Sequence, residues 1–191
     1  MVLNRFFLAI SILILVSGCQ TTIPPLSFTV PNVGISEKKI EAELRSVTVL
    51  PGRPDEVKGE LNGVGAGMKE LWQTSLVDAL NRMVIFQDDA SKKVNITVKI
   101  LQAEIPRAGA SMTSYTIAVY EITDRKNGDI IYTQEISSSG TVPFDYAFMG
   151  IIRMRESLNR AVQNNITMFL QSLEAVDINK PMFPAPVKSK K

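Results

Sequence analysis

Cys19 is the one cysteine in a chain of 191 residues, and the residues before it bear on what its thiol can do. Asn4 and Arg5 come first, then an apolar run from Phe6 to Val16 broken by Ser11, then the small residues Ser17 and Gly18. A short positive end, an apolar stretch and small residues at a cleavage point form the layout of a bacterial secretion signal. The run is too short to span a bilayer, because a helix needs roughly 20 apolar residues to cross the hydrocarbon. Two readings of the thiol remain: an ordinary buried cysteine behind a cleaved signal or short anchor, and a modification site at the new chain end.

The order Val16-Ser17-Gly18-Cys19 favours the second, because it resembles the lipobox of bacterial lipoproteins. That resemblance implies that the Cys19 thiol receives a diacylglycerol by thioether linkage. Signal peptidase then cuts before Cys19, and its new amine is usually acylated too. Several acyl chains on one residue hold a protein at a membrane where one does not, each buried methylene contributing about 0.8 kcal/mol. Gln20 follows the cysteine; in lipoproteins of the enteric type an aspartate there means retention in the inner membrane. The resemblance therefore implies sorting to the outer membrane, with the domain facing the periplasm.

The other chemistries are poorly supplied. Histidine is absent, which removes the usual general base near neutral pH, the commonest transition-metal ligand, and both Ser-His-Asp and Cys-His arrangements. With Cys19 acylated no thiol remains. Carboxylates are the only material for a hydrolase or transferase, and such an enzyme needs two acids converging in a cleft. Glu104, Glu121 and Glu135 are the strand-borne acids, and solvated strand faces account for them. Asp88 and Asp89 lack the spaced ligands of a calcium loop. Gly59, Gly63, Gly65 and Gly67 precede a helix, yet Gly67-Met68-Lys69-Glu70 fits neither a P-loop nor a dinucleotide fingerprint. The sequence thus predicts a flexible loop there, and no catalytic residue, metal site or cofactor.

Residues 1–18 carry only Arg5 as a charge, so 20 of the 21 basic residues remain against 19 acidic ones. That balance offers no concentrated basic face for nucleic acid. Four parts follow: a signal peptide over 1–18, lipidated Cys19 with a flexible Pro-rich tether over 19–38, one domain over 39–178, and a Pro/Lys tail over 179–191. Lys191 could be joined to peptidoglycan, as the terminal lysine of some lipoproteins is. Within the tether Leu26, Phe28 and Val30 alternate, as a short edge strand would.

In the domain, Ile40 to Leu50 reads as a strand with a phase slip near Ser46, the mark of a bulge. Met68, Leu71, Trp72, Leu76, Ala79, Leu80 and Met83 recur at helical spacing. Val94 to Leu101 alternates as a strand, extended toward Ile105, and Thr113 to Thr123 follows. Asn127-Gly128 marks a hairpin returning through Ile130 to Ile136, and Ser137 to Gly140 closes the sheet. A last helix of some thirty residues runs from about Tyr146. Arg153, Arg155, Glu156, Asn159, Arg160, Gln163 and Asn164 lie on its outer face, a solvated face before a lipid-phosphate or acidic-partner site.

The order β-α-β-β-β-α predicts an α+β two-layer sandwich: a mostly antiparallel sheet of about four strands with two amphipathic helices on one face. Leu71-Trp72 with Leu76 and Ala79-Leu80, the Val94-Asn95-Ile96 strand and Leu158-Asn159-Arg160-Ala161-Val162 resemble the YajG-like uncharacterised lipoproteins. Looser likenesses are to the TolB N-terminal domain, CsgG, and auxiliary lipoproteins of ABC transport. The family implies no functional residues that could be carried over. The leading expectation is a non-catalytic accessory or scaffold lipoprotein in envelope assembly or transport, held to membrane by Cys19 and docking an envelope protein. Homo-oligomerisation stays open. The alternatives are a carrier or sensor of a lipid or glycan between sheet and helices, and a carboxylate-based envelope hydrolase.

Overall fold

The computed structural model describes residues 23–65 and 67–177. Cys19, the signal, the Pro/Lys tail and Lys191 lie outside the described residues. The elements are β1 (Glu43–Pro51), α1 (Met68–Met83), β2 (Lys93–Glu104), β3 (Met112–Asp124), β4 (Ile130–Val142), a 3-10 turn (Phe144–Tyr146) and α2 (Gly150–Leu173). The strands form one sheet in the order β1-β2-β3-β4. β1 runs parallel to β2, as a strand returning through a helix must, and the other two pairings are antiparallel.

Period-two patterning places Val94, Ile96, Val98 and Ile100 of β2 beside Ala118, Tyr120 and Ile122 of β3 on one buried face. Both helices cover that face. Trp72 of α1 and Phe169 of α2 meet over Tyr120, which stacks on Phe169 at 4.1 Å between ring centroids. The phase slip in β1 is a register shift between Leu44 and Ser46, and a second shift in β2 leaves Leu101 as an extra residue. Gly128 takes a φ of 78° in the hairpin, a left-handed conformation that glycine adopts without strain.

Four expectations need correction. Ser137 to Gly140 does not close the sheet, because β4 continues to Val142. Its small residues make room for α2: a Cβ on Gly140 would lie 2.4 Å from both the Ala161 nitrogen and the Ser157 carbonyl oxygen. The last helix begins at Gly150 and has 24 residues, with the 3-10 turn before it. The glycine-rich loop is docked at its start, where Lys58 donates to the Leu101 carbonyl, Gly63 to that of Ala103, and Ala103 to that of Glu60. The predicted tether is a packed strap from Leu26 onward, with Phe28 fully buried and Val30 2% exposed. It forms no strand; its alternating residues fill the space between the two helices, which barely meet directly.

Candidate functional site: the strap and the end of the domain where it begins

A polar row on α2 holds the strap. Arg155, Asn159 and Gln163 recur every four residues and so share one helix face. Arg155 donates to the Pro24 carbonyl at 3.0 Å, Asn159 Oδ1 accepts the Ser27 N–H at 3.0 Å, and Gln163 donates to the Ser27 carbonyl at 3.2 Å. From the other side Arg82 of α1 donates to the Val30 carbonyl at 2.7 Å, and the Phe28 ring meets Trp72 edge-on at 6.4 Å. Ser36 donates its N–H to the Met83 carbonyl. Farther along, the Lys38 ammonium reaches the carbonyls of Glu174 and Val176 at 2.7 and 2.6 Å, a cation placed where a helix end presents unpaired acceptors.

These contacts fix a direction. Pro24 lies beside the second turn of α2 and Lys38 beside its last residues, so the strap follows the helix from N- to C-terminus. The chain therefore enters the domain at the end that carries the N-terminus of α2. What reads from sequence as a solvated helix face is in part a strap-binding face. Asn159 is buried accordingly. Arg153 is also buried, at 4% exposure, and donates to the carbonyls of Ala147, Phe148 and Gly109. Arg160 pairs with Glu156 at 2.9 Å and donates to the Thr141 carbonyl, so the three arginines do not form one cationic site.

The strand acids do not converge either. Glu121 accepts from Lys99 at 3.1 Å, and Glu56 lies 3.4 Å from the same ammonium. Glu135 pairs with Lys58 at 2.6 Å, and Glu104 accepts from Gln102. The Arg53 backbone N–H, and then the Lys99 and Arg53 charges, hold the Glu56 carboxyl below the usual carboxylate range. The hydrogen bond to Glu121 raises Lys99. Glu56 and Glu121 share the Lys99 ammonium, while Glu135 and Glu104 each face a different partner, so the three strand acids do not meet at one point. Among the described residues no group of three or more metal-ligating side chains comes together, and no helix is long and apolar enough to cross a membrane.

Phe28, Trp72, Tyr120 and Phe169 fill the middle of the space between sheet and helices, and a groove of about 380 Å³ opens at its edge between Ile131 and Gln134 of β4 and Ser172 to Val176. A surface groove of about 310 Å³ lies elsewhere, between the strap turn at Val30–Ser36, Met83, and Leu170 and Glu174 of α2. The interior instead holds a polar ladder. Tyr120 donates its hydroxyl to Asn165 Oδ1 at 2.9 Å and accepts the Trp72 indole N–H at 3.3 Å. Asn165 in turn donates to the Ile136 carbonyl and to Thr116 Oγ1. Burial pushes the Tyr120 phenol well above its ordinary pKa.

No protein-family model matches the chain, and no curated protein matches it in sequence. Solved structures do. The chain is similar to protein XCC0632 from Xanthomonas campestris, described under family model DUF330, at TM-score 0.54 and 10% identity, over 80% of this chain and 93% of that one. It overlaps the hypothetical protein CT253 from Chlamydia trachomatis at TM-score 0.49 and 10% identity, over 73% and 97%. It overlaps a minor lipoprotein from Acinetobacter baumannii at 0.40 and 16%, over 74% and 93%. The likeness to the Xanthomonas protein establishes a common fold and no common function. The resemblance to YajG-like lipoproteins accordingly remains one of topology and pattern.

Proposed function

We propose that this chain is a lipid-anchored envelope protein that works by binding rather than catalysis. Acylated Cys19 holds it at the periplasmic face of the outer membrane, where it serves as an accessory or scaffold in envelope assembly or transport. The observation that carries this reading is the locked strap. A tether meant only to let a domain roam would not bury Phe28 against Trp72 and hydrogen-bond its backbone to both helices. The strap fixes where the chain enters the domain and so which end of it lies nearest the anchor, which is what a docking protein requires.

The surface offered to a partner is the edge of β1. The opposite edge is capped toward its C-terminal end, because Asn164 and Arg160 of α2 donate to the carbonyls of Ser139 and Thr141 in β4. At the start of β1, Gln87 donates to the Ala42 carbonyl, but Arg45 to Leu50 have β2 on one side and, among the described residues, no strand on the other. Exposed Ser46, Thr48 and Leu50 lie along this run. Such an edge accepts a partner segment by strand addition. A photo-crosslinking residue at Thr48 in cells should give a discrete adduct with an envelope protein, lost in Cys19→Ser, while one at Ser139 should not. No adduct at Thr48 in membrane-bound protein would contradict the scaffold reading.

The carrier reading has one observation behind it, the groove beside the strap turn. Saturable binding of a fluorescent fatty acid, abolished by Leu170→Trp, would favour it over the scaffold.

A further inference from the structure

The connection from β4 to α2 carries Phe144, Tyr146, Phe148 and Met149, exposed at 56, 49, 92 and 38%. Other exposed apolar residues, such as Ile35, Leu50 and Val84, are scattered singly in sequence, whereas here three aromatic rings and a methionine stand within six consecutive residues, the kind of clustered apolar surface that marks an interaction site. The segment is also not slack. Buried Arg153 donates to the carbonyls of Ala147 and Phe148 and reaches the Gly109 carbonyl at 3.3 Å, clamping the connection against the β2–β3 loop. Its guanidinium lies 4.8 Å from the centre of the Phe144 ring, and that of Arg160 lies 5.3 Å from the centre of Tyr146. The Phe144 and Tyr146 rings rest on these guanidinium groups, and the Phe148 ring stands almost wholly exposed on a backbone that Arg153 holds.

We propose that Phe144–Met149 is a membrane-contact loop that seats its rings at the headgroup–acyl boundary of the leaflet holding the Cys19 acyl chains. The proposal rests on the anchored reading above and adds a second point of attachment. Its geometry follows from chain length. Three residues separate Cys19 from Ile23, so four Cα steps reach at most about 14 Å. The 24 residues of α2 span about 36 Å. Chain length therefore keeps a lipid on Cys19 away from the far end of α2 and leaves the N-terminal end, where Arg155 holds Pro24 and where the aromatic connection ends, within its reach.

The chemistry of that end suits an interface. Aromatic side chains settle at headgroup depth, apolar body inward and polar tip outward. Ile23, 42% exposed, adds an apolar side chain near the entry point. Arg155 and Arg107, the latter on the β2–β3 loop that Arg153 clamps and 3.9 Å from Glu60, add cations suited to lipid phosphates, and Asp145 is the one acid between Pro143 and Arg155. An acyl chain and a rigid aromatic loop together set the tilt of the domain, which one attachment alone would leave free.

The test uses the full chain carrying Phe148→Cys, whose new thiol is the only free one once Cys19 is acylated. Phe148 packs on so little that the substitution leaves the fold intact. The thiol is labelled with bimane, and the purified protein is placed in phosphatidylethanolamine–phosphatidylglycerol vesicles containing doxyl-labelled lipid. Asn127→Cys, in the hairpin at the opposite end, serves as the reference. The proposal expects a blue-shifted, quenched probe at 148 and an unshifted, unquenched one at 127. A water-like, unquenched probe at 148 on acylated, vesicle-bound protein would overturn the proposal and leave the anchor standing. Two copies joined through position 148 by a thiol crosslinker would assign the loop to an interface between copies and overturn it. An unacylated intact mass would remove the anchor reading, and the loop proposal with it.

Discussion

The backbone N–H of Ser27 donates to the side chain of Asn159, 132 residues later, at 3.0 Å. Asn159 is buried while Ser27 is exposed, so the bond is shielded from water on the helix side alone, and it lies between the Arg155 and Gln163 contacts to the same strap. Asn159→Ala should cost about 0.5–1.5 kcal/mol, since it removes a half-buried hydrogen bond whose donor can turn to water. Hydrogen exchange should show residues 24–30 losing protection well before the sheet does. Uniform loss across the domain would mean that the strap is part of the core rather than a separately held element.

Tyr120 sets a second prediction. Removing its hydroxyl orphans both the Trp72 indole N–H and one side of Asn165, so Tyr120→Phe should destabilise by about 1–3 kcal/mol. The same burial gives a pH dependence. The folded phenol has a raised pKa, so its contribution is complete below the ordinary tyrosine value of 10.0 and declines as pH rises above it. Absorbance titration of the four tyrosines should show one that ionises only as the protein unfolds. Four phenols ionising together in folded protein would contradict the buried network.

Gly140 is required by contact rather than by backbone conformation. Its Cβ position is occupied by backbone atoms of α2, which cannot move as a side chain does. Gly140→Ala should therefore cost about 1–3 kcal/mol or more through displacement of the helix, read as a lowered Tm. An unchanged Tm would mean that α2 sits farther from β4.

The acids of the outer sheet face should matter little. Glu121→Gln and Glu135→Gln each remove one member of an ion pair that solvent reaches. Exposed pairs contribute about 0–1 kcal/mol, so urea midpoints should barely shift, and less still at high salt. A large loss from either would point to a constrained role that the pairing does not explain.

Much of the sheet was legible because each strand alternates and each turn carries its own chemistry, with Asn127-Gly128 the plainest case. The helix stripes containing Trp72 and Phe169 were legible for the same reason, since one face is apolar. The failures share a cause. Ser138 and Gly140 look like loop residues, yet their smallness suits a strand pressed against a helix. Leu26, Phe28 and Val30 sit among prolines, and composition hides the fact that a helix pair elsewhere leaves a groove for them. Arg155, Asn159 and Gln163 read as solvated because polar side chains that bind backbone have the same spacing as those that bind water. The one cue was their four-residue repeat, which singles out a face without saying what covers it. A helix expected from about Tyr146 likewise takes in the second half of the aromatic loop, because Phe148 has helical spacing to Ile151 and Ile152.

The central claim is that the strap ties a binding domain to a lipid on Cys19. Intact mass with membrane fractionation, comparing wild type and Cys19→Ser, tests it most directly. The account predicts a chain beginning at Cys19 with a triacylated mass in the outer-membrane fraction, and loss of both features in the variant. A wild-type product that is soluble and carries no acyl chain would contradict it.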